Sequence, residues 1–158
     1  MITELYKKIG DFASGVGSDV AKFKKVHPDE KVFAAGFMKQ CSMPINKDAL
    51  DLRNWRNVKQ GTGILTQDKI IFNSSSYDLG KASDLEIVKF YNLFGCGQIV
   101  KYLKDGVYTC FSMQYDSHWS GQLFFSGKEK IGKLKGWGGL VFIFLSLIIL
   151  WTVISKLF

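Results

Sequence analysis

The side chains best suited to act as nucleophile or base near neutral pH are Cys41, Cys96, Cys110, His27 and His118. Cys110 and His118 could form a Cys–His pair only if the fold brings them together. Strand residues alternate faces, so their spacing does not supply that geometry. No Cys-x-x-Cys pair and no His-Glu-x-x-His segment is present to hold a metal. Gly61-x-Gly63 and Gly95-x-Gly97 lack the further Gly or Lys-Ser/Thr of a phosphate loop, and read as turns or bulges. The residues therefore point to a non-catalytic protein without a cofactor. A membrane-bound hydrolase using Cys110 or Cys41 is the weakest of three readings. An odd number of widely spaced cysteines is no disulfide framework and suits a reducing compartment.

The chemistry that remains is electrostatic and apolar. From Gly136 to Ser155 the chain reads GWGGLVFIFLSLIILWTVIS, 20 residues without a charge. That matches the ~20 residues a helix needs to cross a hydrocarbon core. Trp137, Trp151 and Phe158 lie near its ends, where aromatic rings favour the interface. The expectation is a single transmembrane tail anchor over 136–158. Lys128, Lys130, Lys133 and Lys135 precede the span, and only Lys156 follows it. By the positive-inside bias this places the preceding domain in the cytosol. The four lysines would lie against anionic headgroups.

The formal net charge is +7, and beyond residue 136 only Lys156 contributes to it. A moderately basic domain suits an anionic membrane surface. Arg53 and Arg56 are the sole arginines, and arginine is the better fork for phosphates and bases. Nucleic acid is therefore not expected as a partner. The first 20 residues contain Glu4, Lys7, Lys8, Asp11 and Asp19, which is not a signal-peptide pattern.

Between the N-terminus and the anchor the pattern changes once. Ile2, Leu5, Ile9, Phe12, Val16, Val20 and Phe23 recur at helical spacing, with Thr3 available as an N-cap. Gly15 and Gly17 predict a break in this amphipathic helix. Its apolar face would pack on the following domain or self-associate, which leaves a homo-oligomer open. The other reading lays it in the membrane interface, with Lys7, Lys8, Lys22, Lys24 and Lys25 toward headgroups. Pro28 ends the helix. Strands are predicted at 32–41, 61–66, 69–73, 86–94, 98–104 and 107–115, with a polar connection at 42–57 and a loop at 73–78. Asp105-Gly106 marks a hairpin. In the first strand Val32, Ala34, Gly36 and Met38 should share one face, and Phe33, Ala35 and Phe37 the other. The fold class is mainly β, a small barrel or sandwich. The regions are an N-terminal helix at 1–27, a β domain at 28–135 and the anchor at 136–158.

Two segments resemble a known family. Pro28-Asp29-Glu30-Lys31-Val32 and Gly63-Ile64-Leu65-Thr66-Gln67-Asp68-Lys69-Ile70-Ile71-Phe72 are similar to bacterial pleckstrin-homology-like and GRAM domains. Leu85–Val88 and Gly106-Val107-Tyr108 resemble later strands of that pattern. Lys69 stands where such domains often have Arg. The resemblance implies a small barrel over about 28–127, capped by a helix near 117–133. There the chain has Gly121, Gly127 and Gly132, so either the helix is short or 122–125 forms a strand. It also implies a headgroup- or partner-binding loop after the first strand. The basic residues of that segment are Lys47, Arg53, Arg56 and Lys59, partly cancelled by Asp48 and Asp51. Arg53 and Arg56 are separated by two residues, which departs from the family's basic pattern.

The leading expectation is a membrane-anchored adaptor whose cytosolic domain binds anionic lipids or an unknown protein partner. Its binding residues would be Lys47, Arg53, Arg56, Lys59, Lys128, Lys130, Lys133 and Lys135. The second is a structural subunit of a membrane complex, assembled through the tail and the N-terminal helix.

Overall fold

The N-terminal helical pattern folds as two helices divided at the glycines. In the computed structural model, which describes residues 2–92, 95–121 and 123–136, α1 covers Ile2–Ala13 and α2 covers Val16–Val26. Gly15 between them takes φ 73°, a left-handed conformation that glycine adopts at little cost. Pro28 follows the end of α2, as its lack of an N–H requires.

Eight strands form one sheet: β1 Ala34–Pro44, β2 Lys59–Leu65, β3 Lys69–Phe72, β4 Ser75–Asp78, β5 Asp84–Asn92, β6 Gly95–Lys104, β7 Val107–Gln114 and β8 Glu129–Ile131. Their order is β4-β3-β2-β1-β7-β6-β5-β8. Neighbours are antiparallel except β5 and β8, which run parallel. The described chain is thus mainly β, with few helices. Asp105 and Gly106 join β6 to β7 with φ of 51° and 75°, the doubly positive turn that suits a twisted hairpin.

The sheet curls around its inner face. Tyr77 of β4 meets Tyr102 of β6 at a ring separation of 5.6 Å, and the Tyr102 hydroxyl donates to Asp78 O at 3.0 Å. These strands are far apart in the hydrogen-bonding order, so only curvature can join them. Leu65, Ile70, Phe72, Ile87, Val100 and Phe111 fill the enclosed space. A one-turn helix α3, Ser117–Ser120, and a 3-10 turn at Leu123–Phe125 add Trp119 and Phe125, both fully buried. Each large apolar side chain buried this way contributes about 1.5–3 kcal/mol before entropy is counted.

The opposite face is also covered. Cys41, Met43, Ala49, Phe90, Ile99 and Cys110 form a second cluster, with Cys41 directly across from Cys110. The connection between β1 and β2 lies over it with Leu134. In β1, Ala34, Gly36, Met38 and Gln40 are buried on the inner side, while Cys41 and Met43 are buried on the outer. The alternation expected for Ala34 to Met38 holds. Phe33, just before the strand, departs from it and packs on the inner cluster.

Three local readings are corrected and one alternative is decided. Residues 75–78 form β4 rather than a loop, because Ser75–Asp78 pair residue for residue with Lys69–Phe72. Gly61, Gly63 and Gly97 lie inside paired strands, not at turns, while Gly95 opens β6 opposite Asn92 with φ 111°. A β-carbon at Gly63 would overlap Met38, and one at Gly97 would overlap Phe90, so these glycines admit a crossing side chain. The segment at 117–133 has the short helix of the two alternatives. Its additional strand is β8, and Leu123–Phe125 form a 3-10 turn. Thr3 lies inside α1 and bonds the sheet instead of capping the helix. The anchor expected over 136–158 lies outside the described residues from Trp137 onward, and among the described residues no helix is long and apolar enough to cross a membrane.

Candidate functional site

The outer face brings together two segments far apart in sequence. After β1 the chain turns back across the sheet, held by its own polar groups. Asp48 Oδ1 accepts from the Leu50 N–H at 2.9 Å, and Asn54 Nδ2 donates to Asp48 O at 2.9 Å. Trp55 Nε1 donates to Ala49 O at 2.8 Å, which lets its ring lie on the apolar cluster without an orphaned donor. After β8, the Gly132 N–H bonds Lys89 O at 2.8 Å and the stem crosses to this loop. There the Lys135 N–H donates to Leu50 O at 2.8 Å, and the Leu52 N–H donates to Lys135 O at 3.2 Å. The last described residues are thus stitched to the loop by their backbone.

Loop, stem and sheet together line an open groove of about 330 Å³. Leu52, Trp55, Val58, Phe90, Ile99 and Leu134 provide its apolar walls, with Lys39, Gln60 and Ser112 as polar groups. A mainly apolar cleft with a few convergent polar groups can hold an apolar side chain of a partner.

The structure divides the expected binding residues into two groups. Arg53 is held by Asp51, with Nη2 to Oδ2 at 2.7 Å and Nε to Oδ1 at 2.9 Å. That guanidinium holds the half-buried Asp51 carboxyl down at about 2. Lys135 Nζ lies 2.7 Å from Asp48 Oδ2 and holds that carboxyl below its usual range. Lys130 Nζ lies 2.5 Å from Glu86 Oε1. Lys47, Arg56, Lys59, Lys128 and Lys133 are exposed, and no carboxylate among the described residues pairs with them. The two clusters expected separately therefore meet where Lys135 joins Asp48 and Asp51, and the second group carries the uncompensated charge.

A polar group that the sequence reading passed over lies on the same face. Lys101 Nζ is 2.6 Å from Glu86 Oε2 and 4.5 Å from the centre of the Tyr108 ring. Glu86 is 9% exposed. Burial pushes its carboxyl up, but the hydrogen bonds from Lys101 and Lys130 outweigh this and leave it lowered. The signal for this pair was the hairpin register, which sets Glu86 opposite Lys101.

The candidate nucleophiles are placed differently. Burial pushes the Cys41 thiol up to about 11 and the Cys110 thiol to about 12, away from the reactive thiolate. Cys110 belongs to the outer cluster, whereas His118 stands beside Trp119 of the inner one. The sheet lies between them. His118 Nδ1 is 2.7 Å from Asp116 Oδ1, and His27 Nδ1 is 4.0 Å from Glu30 Oε2. Among the described residues no group of three His, Cys, Asp or Glu side chains is placed to hold a metal.

No protein-family model, curated protein or solved structure matches this chain. The pleckstrin-homology-like resemblance therefore rests on the strand motifs alone.

Proposed function

We propose that this protein is a non-catalytic adaptor, anchored in a membrane by residues 136–158, with its β domain facing the cytosol. The resemblance of 63–72 to pleckstrin-homology-like hairpins agrees with this reading. One observation carries it. The chain leaves the domain through a stem bonded to the 45–57 loop and continues directly into 20 uncharged residues. A span that starts at a docked stem holds the outer face near the headgroups. Lys47, Arg56, Lys59, Lys128 and Lys133 then supply attraction to an anionic leaflet, at up to about 1 kcal/mol per residue near the surface. Raised thiol pKa values speak against cysteine hydrolysis at Cys41 or Cys110. The groove of Trp55, Phe90 and Leu134 would receive the protein partner.

Vesicle flotation tests this reading. The full chain should float with neutral and anionic vesicles alike and resist high salt. A chain ending after Gly136 retains every residue of both core clusters. It should bind anionic vesicles weakly and release them in salt. Lys128→Glu with Lys133→Glu should remove most of that binding without breaking an ion pair. Equal binding of the shortened chain to neutral and anionic vesicles at low salt would overturn the electrostatic part.

A further inference from the structure

Helix α1 is docked by its polar side. The Cys96 N–H donates to Thr3 Oγ1 at 3.1 Å, and Lys7 Nζ donates to Ala35 O at 3.2 Å. The Phe37 N–H donates to Asp11 Oδ1 at 2.7 Å, while Lys7 Nζ also bonds Asp11 Oδ2 at 2.6 Å. The reason lies in the sheet. β1 and β7 part beyond Met38 and Met113, which leaves backbone groups at Ala35 and Phe37 without a strand partner on that side. Thr3, Lys7 and Asp11 recur every fourth residue, so one helix stripe meets all of these groups. Buried backbone groups need such partners, and this fixes the helix in rotation.

The consequence is an inverted helix. Its apolar stripe, expected to pack on the domain, points to solvent. Leu5 is 58% exposed, Ile9 55% and Phe12 90%. Val26 at the end of α2 is 71% exposed. Lys8, Lys24 and Lys25 are exposed in the same two helices, with no carboxylate partner among the described residues.

We infer that the apolar stripe of α1 is a second membrane contact, lying in the headgroup–acyl boundary of an anionic bilayer. This deepens the proposed function and rests on its anchor, which keeps the helix beside the lipid. Charge selects this occupant. A second copy meeting the stripe would bring together two chains of formal charge +7. An anionic leaflet instead complements Lys8, Lys24 and Lys25 while taking up Leu5, Ile9 and Phe12. The anchor and α1 together make a two-point attachment that sets the orientation of the domain and its groove.

The test uses the full chain in phosphatidylcholine–phosphatidylserine vesicles. Cys96→Ser leaves only the buried Cys41 and Cys110 as native thiols. A polarity-sensitive fluorophore is attached through Ala13→Cys, beside the stripe. A control carries it through Lys104→Cys, at the opposite end of the strands. Lipids bearing a nitroxide on the acyl chain should quench the label at 13 by at least roughly twofold and leave that at 104 nearly unchanged, as expected for a helix buried to the acyl boundary. Leu5→Glu with Ile9→Glu should abolish this quenching with the circular dichroism spectrum unchanged. An unquenched label at 13 on chain that still floats with vesicles would overturn the inference and leave the anchor standing. Chain that does not float would overturn both. A blue-shifted label at 13 that ignores the nitroxide, and follows protein concentration or deletion of 137–158, would assign the stripe to a second copy or to the chain's own tail.

Discussion

The two faces of the curled sheet bury comparable strand positions by different means. The inner face is closed by large apolar groups, among them Trp119, Phe111 and Phe125, each 0–1% exposed. It carries few polar side chains, and curvature alone brings β4 onto β6. The outer face is covered by a loop and a stem that hold each other through Asp48, Leu50, Leu52 and Lys135. It keeps a paired Glu86–Lys101–Lys130 group and leaves a groove open. The inner face therefore sets the fold, and the outer face, with more charge and a thinner cover, is where binding can vary without unfolding the domain.

The contrast breaks most sharply at Trp119. Trp119→Ala opens a cavity where α3 closes the inner cluster and should cost about 3–5 kcal/mol. Chemical denaturation of the chain ending after Gly136 would show it as a lower midpoint.

On the outer face the largest effect is expected at Glu86. Glu86→Gln leaves Lys101, largely buried, without its carboxylate, and should cost about 2–3 kcal/mol. The lower figure reflects the Tyr108 ring and residual solvent that Lys101 keeps. The folded state holds the Glu86 carboxyl below the ordinary glutamate value of 4.5. Its contribution is present above that pH and is lost as pH falls through the lowered value. Wild type should thus lose stability on acidification below pH 4.5, and Glu86→Gln should flatten that part of the curve. An unchanged acid limb would mean the pair contributes nothing net.

A smaller effect tests the cover. Asp48→Asn weakens the Lys135 pair, which is exposed, and should cost at most about 0.5–1 kcal/mol globally. Hydrogen exchange at Leu52 and Lys135 should accelerate more than at Val100 or Phe111. Uniform acceleration would show that loop and stem are part of the core.

The smallest effect belongs to the exposed apolar stripe of α1. Leu5→Ser, Ile9→Ser and Phe12→Ser should each shift stability within about 0.5 kcal/mol, because these side chains are exposed. Asp11→Ala removes the acceptor of the Phe37 N–H and should cost about 1–2 kcal/mol. The reverse ranking would mean the helix docks through its apolar side.

Periodicity made the strands legible. The hairpins at 61–73 and 98–115 and the alternation in β1 follow from residue types alone, as does the helix break at Gly15. β4 was not legible, because Ser74-Ser75-Ser76 has the composition of a loop and pairs only through β3. The glycines of β2 and β6 read as turns because the side chains they admit, Met38 and Phe90, come from other strands. The basic residues were found, but not their sorting. Lys135 meets Asp48 only because the stem crosses to the loop, a contact across 87 residues, and Lys130 meets Glu86 only because β8 pairs with β5. The rotation of α1 was hidden most deeply. Its apolar stripe argued for packing inward, and the orphaned backbone of Ala35 and Phe37 that overrides this exists only once β1 and β7 diverge.

Membrane attachment through 136–158 is the central claim, and extraction tests it most directly. Membranes from cells expressing the full chain are washed with alkaline carbonate, beside the chain ending after Gly136. The expected result is full chain retained in the pellet and shortened chain released, folded and monodisperse. Full chain released into the carbonate supernatant would contradict the account.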